Sequence, residues 1–417
     1  MCRSGLLETV AAKRCLLLTL VVALAVRLVL AVLIQQRVDQ PPARLCLIAG
    51  DAEGYWELAQ HIAAMEDYAI YEPPRYVLRV PGFPLVLALS QAVFGNHPFA
   101  ARCLLACIGT AACALTYWLG RELADQTTGL IAAIYTAISP TMAVFSVLIL
   151  SETLFALTLL LSLIAMARSV RATGNGGLIG GFASGVLIGV ATLVRPTWLY
   201  VGTLIALTTI LLVRRSGACR SVGLQAGAVL VGVAVAMAPW TIRNYSVTGH
   251  LVPTTLWVGA SLYDGLNPTA TGDSDMRFVQ TDGLLERLSE YELDREYRKR
   301  AWEFMVQFPQ RTLWLAWKKQ QRYWSLVPNA DQFRDIRLQW IVGLTALPLV
   351  VFAAYGGWLS RRDPGLLILT TGSLLLFAGL HLLFVGSLRY RLPAEYPLSI
   401  LAAVGVRSLL NQFRKQA

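Results

Sequence analysis

Apolar runs near 20 residues recur along this chain, separated by short polar stretches rich in arginine. Ten runs are predicted to be helices able to cross about 30 Å of hydrocarbon at ~1.5 Å per residue. They cover residues 15–34, 98–119, 128–146, 150–168, 177–194, 196–213, 221–240, 340–359, 365–385 and 394–410. A β-barrel would instead show short alternating segments. Two long intervals, 35–97 and 241–339, break the pattern. In the first, the spacing of Trp56, Ala59, Ile62 and Ala63 predicts a helix over 53–65. Pro84–Phe94 is apolar but too short to span and is expected at the interface. In the second, Leu284–Phe308 reads as a charged helix. Thr312–Val327 sets tryptophan and tyrosine around Lys318, Lys319 and Arg322, the composition of an interfacial helix. No repeat of 20–50 residues appears. The expected architecture is an all-α polytopic membrane protein, residues 1–417 forming one membrane-embedded unit.

The charges orient it. Arg3, Lys13, Arg14, Arg121, Arg168, Arg171, Arg214, Arg215, Arg220, Arg361, Arg362, Arg407, Arg414 and Lys415 all fall on one side if ten spans are threaded. Positive charge collects on the cytoplasmic side, so both termini are expected in the cytoplasm and the two long loops outside it, at the inner membrane if the cell is bacterial. Lys13 and Arg14 before an apolar run resemble a signal peptide. The run is too long for one and no small-residue cleavage site clearly follows, so it is expected to remain as the first helix.

Composition agrees. The chain has 417 residues, 56% hydrophobic and 15% charged, with a mean hydropathy of +0.55. A soluble domain would carry nearer a quarter charged residues. The net charge of +11 is accounted for by topology, and no basic patch interleaved with exposed aromatics points to nucleic acid. Of seven cysteines, only Cys46 lies in an outer loop, which leaves no disulfide framework. Cys103 and Cys107 share a helix face and are read as packing residues. The four histidines are scattered without metal-ligand spacing.

The polar residues that remain collect at the outer face. Asp51 precedes a helical segment, so it is either an N-cap or a carboxylate aimed into an outer cavity as a general base or cation ligand. Glu53 and Glu57 read as solvated helix positions, with Glu53 kept as a secondary candidate beside Tyr55 and Arg75. Glu152 lies at the turn between two apolar runs with no other charge near it in sequence. It is either solvated in a cap or paired with Asp51 or an arginine. Arg75, Arg79, Arg195, Arg243, Arg389 and Arg391 are placed outside, against the positive-inside trend. They either snorkel to lipid phosphates or clamp a phosphate, whose geometry guanidinium matches; two or three are expected to do the latter. Arg27, inside the first span, is expected to face the bundle. A base plus cations for a departing phosphate is what group transfer from a phosphate-linked donor needs.

These residues stand in motifs. They are Asp51-x-x-x-Tyr55-x-x-Leu58-Ala59, Arg79-x-Pro81-Gly82-Phe83-Pro84-Leu85, Ala100-Ala101-Arg102 and Ser151-Glu152-Thr153-Leu154-Phe155. Further along come Leu193-x-Arg195-Pro196-Thr197, Pro239-Trp240-Thr241-Ile242-Arg243-Asn244-Tyr245 and Arg389-Tyr390-Arg391-Leu392-Pro393. In order and spacing the chain resembles the GT-C superfamily of integral-membrane glycosyltransferases, in the branch of protein O-mannosyltransferases and lipid A aminoarabinose transferases. The resemblance implies a GT-C fold of about ten transmembrane helices, with two long extracytoplasmic loops holding interfacial helices. It implies transfer of a hexose or pentose from a polyprenyl-phosphate sugar, usually with inversion, to a hydroxyl or phosphate of a protein, lipid or glycan acceptor. Asp51 matches the family's first-loop acid and Glu152 its second-loop acid. Arg79, Arg195, Arg243, Arg389 and Arg391 are the candidates for the donor phosphate. A divalent metal ion on Asp51 and Glu152 is the one cofactor considered. The chain departs from the family in reading Asp51-Ala52-Glu53 rather than an adjacent Asp-Glu pair, and in lacking a large extracytoplasmic C-terminal domain. Leu262–Pro268 is read either as an ordinary turn or as a mobile loop on the acceptor side. A transporter of a lipid-linked sugar would carry broken or polar helices near mid-membrane; that reading and an inactive scaffold of the same fold are the alternatives.

Overall fold

The computed structural model describes residues 2–48, 50–213, 219–328 and 335–416. Arg214 and Arg215, used in the charge count, and residues 329–334 of the second loop lie outside this set. The first half runs α1 (Cys2–Asp39), α2 (Asp51–Ala63), α3 (Gly82–Phe94), α4 (Pro98–Leu123), α5 (Gln126–Ile138), α6 (Pro140–Phe145), α7 (Glu152–Arg171), α8 (Gly174–Thr192) and α9 (Trp198–Val213). The second runs α10 (Cys219–Thr248), α11 (Val258–Gly265), α12 (Phe278–Thr281), α13 (Leu284–Arg287), α14 (Glu290–Gln307), α15 (Pro309–Tyr323), α16 (Ile336–Leu359), α17 (Pro364–Leu380) and α18 (Leu388–Gln416). The described residues contain no strand, only an isolated bridge between Ile70 and Arg75. Among the described residues, six helices are long and apolar enough to cross a membrane, α1, α4, α7 and α10 being four of them. The apolar helices α3, α9 and α17 are shorter. Leucines and valines along α1 are exposed, Leu17 and Leu18 at 65%, as suits a lipid-facing helix.

Three expectations need correcting. The run 128–146 is not one helix. Pro140 has no N–H to offer Thr136, so α5 ends at Ile138 and the chain restarts as α6. The charged segment 284–308 divides at Ser289, which caps α14 by accepting from the Glu292 N–H. Of the segment Leu262–Pro268, Leu262–Gly265 is the end of α11 and the turn is confined to the residues that follow, where Asn267 donates to Tyr263 O and accepts from Thr269 N–H.

Arg27 resolves the break in α5. Fully buried in α1, it donates to the freed Thr136 and Ala137 carbonyls at 3.1 and 3.2 Å and to Ser146 Oγ at 3.1 Å. Orphan carbonyls in hydrocarbon each cost several kcal/mol, so a cation that pairs two of them is well placed. Arg102, also fully buried, donates to Val147 O, Leu45 O and Gln35 Oε1. It therefore ties the turn before Glu152 to the segment before Asp51.

α7 and the first half of α18 form the centre, buried along most of their length. α8 packs on α10 through Gly181, Gly185 and Gly189. A Cβ on Gly185 would lie 2.0 Å from Val229 O, so the helices meet backbone to backbone, as small residues at every fourth position allow. At one end of the bundle the C-termini of α4, α7 and α18 gather, where Glu122 pairs with Arg168 and Arg171, and Asp125 with Arg407. At the other end lie the N-termini of α7 and α18, with α2 and the Arg195 turn against them.

Candidate functional site

Five charged side chains from five separate stretches meet at that second end. Asp51 is not the N-cap of α2; Gly50 holds that position, with φ of 89°. As the first helical residue Asp51 turns its side chain away from the helix. Its two oxygens accept separately, from Arg79 Nη2 at 2.7 Å and from Arg389 Nη2 at 2.8 Å. Glu152 opens α7 and is 1% exposed, so it is not a solvated cap residue. Its Oε1 accepts from Arg195 Nη2 at 3.0 Å and from Arg389 Nε. Arg389 thus bridges the two acids, which stand 338 and 237 residues from it in sequence.

Local structure fixes each guanidinium. Gly82 N–H donates to Leu193 O at 2.8 Å, and a Cβ there would meet Leu193 O at 2.5 Å. The segment carrying Arg79 is thereby seated on the turn carrying Arg195. Tyr68 OH donates to Arg79 O at 3.2 Å. Aromatic rings face the cations: Arg79 lies 4.8 Å from the Tyr55 centroid, and Arg195 and Arg389 lie 5.4 and 5.8 Å from that of Tyr390. Burial alone would push the Asp51 carboxyl up, but Arg79 and Arg389 more than offset this and hold it well below the usual carboxylate range. Burial likewise disfavours charge on Arg79 and Arg389, and the carboxylates reverse it. Three guanidiniums against two carboxylates leave the cluster net positive, suited to an anion. Glu152 Oε2, Ser151 Oγ and Arg79 Nε are buried there without a protein partner.

The other candidates lie elsewhere. Arg243 donates to Tyr76 O at 2.5 Å and Tyr68 O at 3.2 Å. Arg391 pairs with Glu395 at 2.6 Å and donates to Tyr323 O, at the end of α15. Arg75 donates to Leu285 O and Leu288 O, at the end of α13. These three hold backbone carbonyls and touch neither acid. Glu53 turns back to accept from Gly50 N–H at 3.3 Å and so closes the start of α2. Tyr390 joins the site although the sequence reading gave it no role; it stands inside the Arg-Tyr-Arg motif, which was its only signal.

A divalent ion fits these residues poorly. Calcium or magnesium takes six or more oxygens. Here three carboxylate oxygens, Asp51 Oδ1 and Oδ2 and Glu152 Oε1, already accept from guanidiniums. Among the described residues no three His, Cys, Asp or Glu side chains converge.

Residues 77–242 match the dolichyl-phosphate-mannose-protein mannosyltransferase family. No curated protein matches the chain. Among solved structures it is similar to ArnT from Cupriavidus metallidurans bound to undecaprenyl phosphate, with a TM-score of 0.58 and 16% identity over 94% of this chain and 60% of that one. It is also similar to the oligosaccharyltransferase AglB from Archaeoglobus fulgidus in complex with an inhibitory peptide and a dolichol-phosphate, with a TM-score of 0.59 and 14% identity over 95% of this chain and 50% of that one. The chain therefore spans 60% or less of the length of these two proteins. Helix order and these likenesses make this a membrane protein of the GT-C fold.

Proposed function

We propose that this protein is a membrane glycosyltransferase. It takes a sugar from a polyprenyl-phosphate donor at the extracytoplasmic face and passes it to an acceptor hydroxyl or phosphate. The observation that carries this reading is the cluster of Asp51, Glu152, Arg79, Arg195 and Arg389, a net-positive group of side chains holding two carboxylates. Arginine forks recognise phosphate as they do carboxylate. A donor phosphate arriving here competes for Arg79 and Arg389. Each guanidinium that turns to it frees an oxygen of Asp51, whose basicity then rises. Asp51 so released takes the acceptor proton as the acceptor oxygen bonds to the anomeric carbon. The bond from that carbon to the phosphate oxygen breaks, and the arginines receive the phosphate charge. Donor binding and activation of the base are one exchange of partners.

The test uses the full chain in detergent with labelled polyprenyl-phosphate sugars and a membrane extract as acceptor source. Wild type is expected to transfer sugar, and Asp51→Asn to remain folded and inserted with transfer abolished. A folded Asp51→Asn protein with wild-type activity rejects Asp51 as the base. Because guanidiniums already occupy the carboxylates, chelator-treated protein is expected to keep its rate. Loss on chelation, restored by magnesium or manganese, would instead place a metal on Asp51 and Glu152.

A further inference from the structure

His381 follows the last turn of α17 and belongs to none of the motifs. Its ring lies between two tyrosines: Tyr323 of α15, centroid 5.6 Å away and tilted 25°, and Tyr390 of α18, 4.7 Å away and tilted 16°. Nδ1 is 2.6 Å from Val385 O. A carbonyl only accepts, so Nδ1 carries the proton and Nε2 of the neutral ring is an acceptor. Nε2 has no hydrogen-bond partner among the described residues, and neither has the Tyr390 hydroxyl, while His381 as a whole is 9% exposed. The Tyr390 ring lies within 6 Å of both Arg195 and Arg389, so the His381–Tyr390 stack borders the charged cluster. The segment is held firmly from below. Lys319 of α15, fully buried, donates to Leu382 O and Leu383 O, and Arg322 Nε donates to Gly386 O. An acceptor and a hydroxyl, each on a ring held by stacking, stand beside the place proposed for a phosphate.

We propose that His381 Nε2 and the Tyr390 hydroxyl recognise ring hydroxyls of the sugar being transferred, and so set which donor the protein accepts. This rests on the transferase reading and adds its specificity. A sugar is joined directly to its phosphate, so a phosphate on the arginines carries its sugar up to these two groups. A sugar hydroxyl donates to Nε2; a second exchanges a hydrogen bond with the tyrosine. Sites built to pair a hydroxyl reject analogues that lack it far more strongly than apolar pockets reject size changes.

The experiment compares wild type, His381→Phe and Tyr390→Phe, all full-length in detergent. Phenylalanine keeps both stacked rings, and Tyr390→Phe leaves the Val385 bond untouched. The probes are polyprenyl phosphate without sugar and a panel of polyprenyl-phosphate hexoses with their monodeoxy analogues. Each variant is expected to raise the donor KM about tenfold with kcat little changed. For each variant, one particular deoxy donor is expected to lose its penalty, because the hydroxyl and its reader are already parted. Affinity for sugar-free polyprenyl phosphate is expected to match wild type. Variants that keep the wild-type KM and every deoxy penalty overturn the proposal while leaving the transferase intact. Variants that lose sugar-free lipid in the same proportion also overturn it, since the two rings then only support the fold. If wild type binds the sugar-free lipid but uses no sugar donor, the transferase reading falls and this inference with it.

Discussion

The six arginines of the outer loops differ in what their guanidiniums touch. Arg79, Arg195 and Arg389 rest on Asp51 and Glu152; Arg75 and Arg243 take up carbonyls that turns and helix ends leave bare, and Arg391 holds the Tyr323 carbonyl while pairing with Glu395 on its own helix. The first kind can change partner when a phosphate arrives, because one anion replaces another. The second kind cannot without exposing backbone. Arg389→Lys is therefore expected to lower kcat/KM by about two orders of magnitude, since one ammonium cannot span both acids. Arg243→Lys is expected to lower the melting temperature in detergent and leave the donor KM at its wild-type value. At this scale the sequence supplied residue types and motif order. It did not supply the division among the arginines, because that depends on which carbonyls the tertiary turns leave unpaired. Asp51 and Glu152 were legible as acids near apolar helix ends. Their sharing of Arg389 was not, since a contact spanning 338 residues leaves no local trace.

At the scale of elements, backbone supply and demand explain where helices stop and meet. Pro140 breaks one apolar run, and hydropathy, which counts side chains only, passes straight over it. Arg27 looked structural from its place inside a span, yet what it pairs with follows from that break. The glycines of α8 were countable in sequence, but their partner helix was not. Gly185→Val is expected to cost about 3 kcal/mol or more, seen as a lower melting temperature, because its side chain would press on Val229 O. Lys319 gives a pH signature. Burial lowers its pKa to about 8, with Asp264 offsetting part of the effect. The unfolded chain then binds more protons than the folded one from about pH 8 up to the free lysine value, so stability rises across that window. Lys319→Met is expected to remove this rise from the difference between the two melting curves. At neutral pH it is expected to destabilise the fold by about 1–3 kcal/mol, through the Leu382 and Leu383 carbonyls left bare.

For the whole molecule, the charged ends of α4, α7 and α18 and the carboxylate cluster lie at opposite ends of the bundle. α7 alone, at 20 residues, separates Glu152 from Arg171 by roughly 30 Å. We infer from the positive-inside trend that the Arg171 end is cytoplasmic. A membrane-impermeant thiol reagent applied to intact cells is then expected to label Asp275→Cys and to spare Arg171→Cys until the membrane is opened; the reverse pattern inverts the topology. Fold class was legible at this scale because hydropathy and charge bias act along the chain itself.

Arg389, the residue that joins the two acids, arrives on α18, 237 residues after Glu152. A ribosome still making this protein has already released Asp51 and Glu152 into the membrane-bound chain, each with one guanidinium and the pair unjoined. Only when α18 docks does the cluster acquire its excess of positive charge. The cluster as it stands in the fold is therefore complete only once the bundle has closed.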